Sequence, residues 1–80
     1  MKCAHVRVYV SPALTGAAKK KEEQELEVEL PATVGDVLAE LGLLNAGPLL
    51  ISRNGRLARL EELLEDGDEL GFYPPIGGGQ

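Results

Sequence analysis

Tryptophan is absent from this 80-residue chain, Cys, His, Met and Phe occur once each, and only two tyrosines join Phe72 as aromatics. One core must therefore be filled with aliphatic side chains, since a chain this short cannot divide its apolar residues between two domains. The lone Cys3 excludes an intrachain disulfide, and an unstapled small domain is expected in a reducing cytoplasm. Cys3 and His5, two apart on one predicted strand, cannot close a tetrahedral metal site. No Ser/His/Asp arrangement follows from spacing, and no glycine-rich loop lies between a strand and a helix, so an enzyme with its own active site is not expected. No charged segment followed by a long apolar stretch opens the chain, and no run of eighteen apolar residues occurs, so neither a signal peptide nor a membrane span is expected. Positive charge is also scarce. A formal net charge of −5 argues against nucleic acid as the main partner and for an electropositive protein. The basic run Lys19-Lys20-Lys21 is followed by Glu22, Glu23 and Glu25, which cancel its field within a Debye length of roughly 8–10 Å, so it reads as a solvated loop.

What is present is periodicity. From Cys3 to Val10, Ala4, Val6, Val8 and Val10 alternate with His5, Arg7 and Tyr9, the pattern of a half-buried strand. Ser11 to Gln24 contains Pro12 and Gly16 and reads as a long hairpin loop. Glu25 to Leu30 alternates again, with Leu26, Val28 and Leu30 inward. Pro31 ends that strand, and Thr33-Val34-Gly35-Asp36 has the spacing of a helix-capping box. Val34, Val37, Leu38 and Leu41 then form one apolar stripe, with Gly42 as the stop. Leu49 to Arg53 and Arg56 to Leu60 flank Asn54-Gly55, a dipeptide suited to a type I′ hairpin. Leu60, Leu63 and Leu64 have the spacing of one helical turn. Glu65-Asp66-Gly67-Asp68 reads as an acidic tight turn before a last strand, Glu69 to Tyr73.

The order strand, strand, helix, strand, strand, strand predicts an α+β domain: a mixed sheet of four to five strands covered by one helix, the β-grasp outline. Residues 1–73 form the predicted domain, and residues 74–80 a flexible Pro/Gly tail. Val8, Val28, Val37, Leu41 and Phe72 are expected at the centre of the core.

The C-terminal end is the distinctive part: Asp66-Gly67-Asp68-Glu69, then Leu70-Gly71-Phe72-Tyr73-Pro74-Pro75, then Ile76-Gly77-Gly78-Gly79-Gln80. An acidic turn, a strand ending in Phe-Tyr-Pro-Pro and a glycine end resemble the small subunit of molybdopterin synthase and the thiamine sulfur carriers, the MoaD/ThiS family of ubiquitin-like sulfur carriers. Chain length, the helix at Thr33 to Leu41 and the Asn54-Gly55 hairpin are similar as well. The resemblance implies that the terminal glycine carboxylate is adenylated by an enzyme akin to ubiquitin-activating enzymes and converted with a sulfur donor to a thiocarboxylate. ATP is then used by the activating enzyme, and the carrier binds no cofactor of its own. The residues suit that chemistry, because a tail without side chains can thread a narrow channel and follow whatever path it dictates. Pro74 and Pro75 favour an extended start that projects the tail from the body.

Aligned on the family tail, Pro74, Pro75, Ile76, Gly77 and Gly78 lead to Gly79 as the active glycine, and Gln80 is one residue too many. Some relatives carry a short extension that a zinc-dependent JAMM-type peptidase removes. Either Gln80 is removed before activation, or the chain ending at Gln80 is not activated. The resemblance implies sulfur transfer to an acceptor such as a molybdopterin synthase large subunit; tRNA thiolation, thiamine and sulfur amino-acid synthesis use similar carriers. A ubiquitin-like modifier, or a β-grasp interaction module without chemistry, is the second class. Arg7, Tyr9, Tyr73 and Arg53 are the expected partner-binding residues, on an exposed sheet face near the root of the tail. Asp66 and Asp68 read as turn formers, Cys3 as a strand residue with nothing to lower its pKa, and His5 as an exposed polar residue.

Overall fold

The computed structural model describes residues 2–15, 23–45 and 48–75. β1 spans Cys3–Val10, α1 Pro12–Thr15, β2 Glu23–Glu29, α2 Val34–Glu40, β3 Leu50–Arg53, β4 Arg56–Leu57 and β5 Glu69–Tyr73. The five strands form one mixed sheet in the order β2-β1-β5-β3-β4. β1 and β5 run parallel at its centre, and the remaining pairs are antiparallel. This is the ubiquitin-like β-grasp fold. β1 shows the alternation expected of it, with Ala4, Val6, Val8 and Val10 buried and Cys3, His5 and Arg7 exposed, whereas in β5 Leu70, Gly71 and Phe72 are all buried.

The start of α2 is set locally. Thr33 Oγ1 accepts from Asp36 N at 3.2 Å and Asp36 Oδ2 accepts from Thr33 N at 2.9 Å, the reciprocal capping box that the spacing predicts. Its end is local too. Gly42 adopts φ +75°, Leu43 N donates to Leu38 O at 3.0 Å and Gly42 N donates to Ala39 O at 3.0 Å. That double closure satisfies the last carbonyls, and its left-handed residue favours glycine. Val34, Val37 and Leu38 then pack against Val6, Val8, Leu70 and Phe72, so the helix covers one face of the sheet.

Several expectations need correction. Val28 and Leu41 lie on the rim of the core, half-buried, whereas Val6, Val8, Val34, Val37 and Phe72 are fully enclosed. Val28 belongs to an edge strand and Leu41 caps α2, so each has packing on only part of its surface. Leu60, Leu63 and Leu64 form no helical turn: Leu60 and Leu63 are exposed, and only Leu64 is buried. After a turn at Arg59–Glu62 the segment lies against the start of α2, where Glu62 O and Leu60 O accept from Val34 N and Gly35 N at 3.0 and 2.9 Å and Leu64 N donates to Ala32 O at 2.8 Å. Carbonyls that a helical turn would use internally instead satisfy the orphan amides at the start of α2. β4 ends at Leu57 and not Leu60, since the chain turns at Arg59–Glu62, where Glu62 accepts the Arg59 amide through Oε2 at 3.1 Å. β2 begins at Glu23 and ends at Glu29, and the predicted loop after Ser11 opens with the short helix α1.

Asn54 and Gly55 take φ +53° and +85°, joining β3 to β4 with the left-handed geometry expected of that dipeptide. No helix among the described residues is long and apolar enough to cross a membrane.

Candidate functional site: the open sheet face and the root of the tail

Among the described residues the sheet has one face under α2 and one without a helix. Core residues Leu70 and Phe72 of β5 pair with Arg53 and Ile51 of β3, so Glu69, Gly71 and Tyr73 point to the open face. Arg7 and Tyr9 of β1 lie beside Glu69 and Gly71 on that same face. Leu50 and Ser52 of β3 continue it, and the exposed Leu57 of β4 lies opposite Ser52. Glu23, Glu25, Glu27 and Glu29 of β2 form its far border, opposite Tyr9, Arg7, His5 and Cys3. From β4 to β2 the open face therefore passes from aliphatic through aromatic to acidic.

Three of the four expected partner-binding residues come together. The Tyr9 and Tyr73 rings meet with centroids 5.6 Å apart and planes at 37°, within the range of favourable tilted aromatic pairs. Tyr73 folds back along its own strand over Gly71, whose missing Cβ makes the room. A Cβ there would stand 2.6 Å from Tyr73 Oη and 2.8 Å from Ser52 Oγ. Arg7 is exposed one position down β1 on the same face. Gly71 and Ser52 were not among the expected site residues. The available signal was a glycine inside an otherwise regular strand, which marks close approach by a neighbour.

Arg53 stands apart from this group. It shares the core-facing side with Ile51 and is half-buried, its Nε donating to Asp68 Oδ2 at 3.0 Å and its Nη1 to Glu62 Oε1 at 3.2 Å. Asp68 is a buried carboxylate and accepts also from Asn54 Nδ2 at 2.9 Å and Glu65 N at 2.8 Å. Burial by itself would raise its pKa, but these hydrogen bonds and the Arg53 charge outweigh that and hold the carboxyl below its ordinary value. Asp66, by contrast, is exposed and accepts from His5 N at 2.7 Å, a bond that lowers its pKa. The two acids of the turn have different tasks: Asp66 ties the turn to β1, and Asp68 ties it to the β3–β4 hairpin. The Cys3 thiol is pushed up, first by loss of solvation and then by Glu27 and Glu29 beside it, so it carries no activated thiolate. Among the described residues no group of three His, Cys, Asp or Glu is placed to hold a metal.

β5 ends at Tyr73, and Pro74 and Pro75 continue beyond it, half-buried and exposed respectively. Because Tyr73 pairs with Leu50 while packing on Tyr9, the last strand residue is held on both sides where the tail begins. Ile76, Gly77, Gly78, Gly79 and Gln80 lie outside the described residues.

The described residues define a ubiquitin-like β-grasp protein whose open sheet face carries an aromatic pair beside the last strand residue before the Pro/Gly-rich C-terminal sequence. The chain belongs to the ThiS family, whose model matches residues 14–79. Among solved structures it is similar to small archaeal modifier protein 1 from Methanosarcina acetivorans, at 28% identity over 99% of this chain and 100% of that one, with a TM-score of 0.69. It is similar also to a putative molybdopterin converting factor subunit 1 from Pyrococcus furiosus, at 26% identity over 91% and 99% of the two chains, with a TM-score of 0.70. The fold is shared with a chain in the complex of molybdopterin-converting factor subunits 1 and 2 from Helicobacter pylori, at 23% identity over 94% and 99%, with a TM-score of 0.61. No curated protein matches the sequence.

Proposed function

We propose that this chain is a sulfur carrier, a protein cosubstrate whose C-terminal glycine, Gly79, is activated and converted to a thiocarboxylate after loss of Gln80. The observation that carries the reading is the sequence Pro74-Pro75-Ile76-Gly77-Gly78-Gly79, which continues the anchored end of β5 in a member of the ThiS family. A terminal carboxylate oxygen attacks the α-phosphate of ATP in a partner enzyme and releases pyrophosphate. A sulfide equivalent from a donor then displaces AMP and leaves the thiocarboxylate. The globular body acts as the handle, docking through Arg7, Tyr9 and Tyr73, while the tail supplies reach. The acceptor is an enzyme like the large subunit of molybdopterin synthase, and the setting is the cytoplasm. The similarity to a putative molybdopterin converting factor subunit 1 is what supports that pathway, and thiamine synthesis, tRNA thiolation and sulfur amino-acid synthesis are the alternatives.

The test compares chains ending at Gly79 and at Gln80, each incubated with the activating enzyme, ATP and a sulfur donor. One extra residue moves the reacting carbon by roughly 3.3–3.6 Å, beyond what near-attack geometry tolerates. The Gly79 form should release AMP and gain the oxygen-to-sulfur mass difference, and Gly79→Val should block both. Equal activation of the Gln80 form, with Gln80 retained, would move the reactive carboxylate to the last residue and remove the need for a JAMM-type peptidase. A second reading, a modifier joined to lysines of other proteins, is favoured by the similarity to a small archaeal modifier protein. It predicts branched conjugates in place of a thiocarboxylate.

A further inference from the structure

β2 lies at one end of the strand order, so among the described residues one side of its backbone has no neighbour in the sheet. Which residues face that side follows from the hydrogen bonds. Leu30 N donates to Lys2 O at 2.8 Å just beyond the β1–β2 ladder, in the same register that pairs Ala4 with Val28 and Val6 with Leu26. Antiparallel ladders alternate between bonded and non-bonded pairs, so Gln24, Leu26 and Val28 turn their backbone groups toward β1. β1 agrees, because the intervening amides of His5 and Arg7 point the other way, to Asp66 Oδ1 at 2.7 Å and Asp68 O at 3.0 Å. The N–H and C=O groups of Glu23, Glu25, Glu27 and Glu29 therefore face the free side.

Those four residues also carry their side chains exposed on the open face of the sheet. Among the described residues none of them is in an ion pair, although Arg7 lies opposite Glu25 and His5 opposite Glu27 across the β1–β2 ladder, and Glu29 lies opposite the Cys3 thiol. On the opposite face Leu26 and Val28 are only half-buried, although their β1 partners Val6 and Ala4 are fully covered. The edge is thus incomplete in three respects at once: backbone, charge and aliphatic surface.

We propose that the β2 edge docks an extended segment of a partner protein carrying Lys or Arg at every second position with aliphatic residues between. Such a segment adds a sixth strand, its backbone bonding to the outward groups of the glutamates. Its basic side chains then stand opposite Glu23 to Glu29 on one face, and its aliphatic ones extend the Leu26–Val28 row on the other. A second copy of this chain does not fit. The outward groups belong to glutamates, so antiparallel pairing of β2 with β2 sets Glu against Glu in every register, which is destabilising. β1 separates this edge from β5, so a segment bound here leaves the root of the tail accessible. The inference does not depend on the sulfur chemistry.

The experiment titrates the isotope-labelled full chain with a short capped peptide of alternating Arg and Val. A Glu-for-Arg counterpart and a version N-methylated at each Arg serve as controls. Saturable binding is expected, with amide shifts and slowed hydrogen exchange centred on Glu23, Glu25, Glu27 and Glu29, and with affinity falling as salt rises. The N-methyl peptide keeps the charge but loses the strand bonds, so it should bind much more weakly. The double variant Glu25→Lys/Glu27→Lys converts two favourable cross-strand pairs to repulsive ones and should lower affinity about tenfold. Because Glu25 lies opposite Arg7, the variant also sets two cations across the β1–β2 ladder and should melt somewhat below the wild type, so its affinity is read at a temperature where circular dichroism shows it folded. The proposal is overturned by absence of saturation, by shifts centred on Tyr9 and Tyr73, by equal binding of either control peptide, or by unchanged affinity of the folded double variant.

Discussion

Replacing Asp68 with alanine should be among the most damaging single changes outside the apolar core. The buried carboxylate accepts from Arg53 Nε, Asn54 Nδ2 and Glu65 N at 3.0, 2.9 and 2.8 Å. It thereby joins the turn before β5 to the β3–β4 hairpin. Removing one partner of a buried ion pair costs about 3–5 kcal/mol, and Arg53 keeps Glu62 at 3.2 Å, which argues for the low end, about 3 kcal/mol. A domain of this size holds only about 4–12 kcal/mol in reserve, and its melting temperature should fall by about 12–24 °C. Thermal unfolding followed by circular dichroism reads the shift directly. The pH dependence supplies a second check. The folded carboxyl lies below its ordinary value of 3.8, so its stabilisation is fully present above that value and is lost as pH falls through the lower folded one. The gap between wild type and Asp68→Ala should therefore be constant near neutrality and narrow in acid. Asp66→Ala, at an exposed site, should shift melting less. A variant Asp68→Ala melting within about 2 °C of wild type, or a gap unchanged in acid, would refute the assignment of Asp68 as the link between turn and hairpin.

Phe72 has no exposed surface, and Phe72→Ala should cost about 3–5 kcal/mol by denaturant unfolding; wild-type stability would mean that the register of β5 is wrong. Gly71→Ala should lift the Tyr73 ring off its strand and away from Tyr9, because the added Cβ would meet Tyr73 Oη at 2.6 Å. The expected readout is an altered near-ultraviolet tyrosine signal with a small change in stability, since the displaced atoms end a movable side chain; an unaltered signal would show that the ring does not occupy that seat.

Features that depend on neighbours along the chain are legible in the amino-acid order itself. The β1 alternation, the Thr33–Asp36 capping box, the Gly42 stop, the Asn54-Gly55 turn and the glycine tail are each specified within a few residues, and the first four take the predicted form. Period alone could not rank burial, however. Val28 and Leu41 carry the right phase, yet phase reports which face a residue occupies and not its distance from the centre. Arg53 shows a related limit: Leu49, Leu50 and Ile51 are consecutive apolar residues, so the phase of β3 is ambiguous, and a shift of one residue exchanges its faces.

The amino-acid order suffices for the succession of the five strands and α2, the ends of α2 and the chemical character of the tail, because those rest on local backbone sterics, local hydrogen bonds and side-chain type. Folding in three dimensions adds that Leu60 to Leu64 serves the amides of α2, that Asp68 and not Asp66 is buried against Arg53, and that Tyr73 lies on Gly71 beside Tyr9. It adds also that the glutamates of β2 face an open edge. Each of these depends on which strands are neighbours and in what register, and contacts between residues far apart in the chain leave no periodic trace in it.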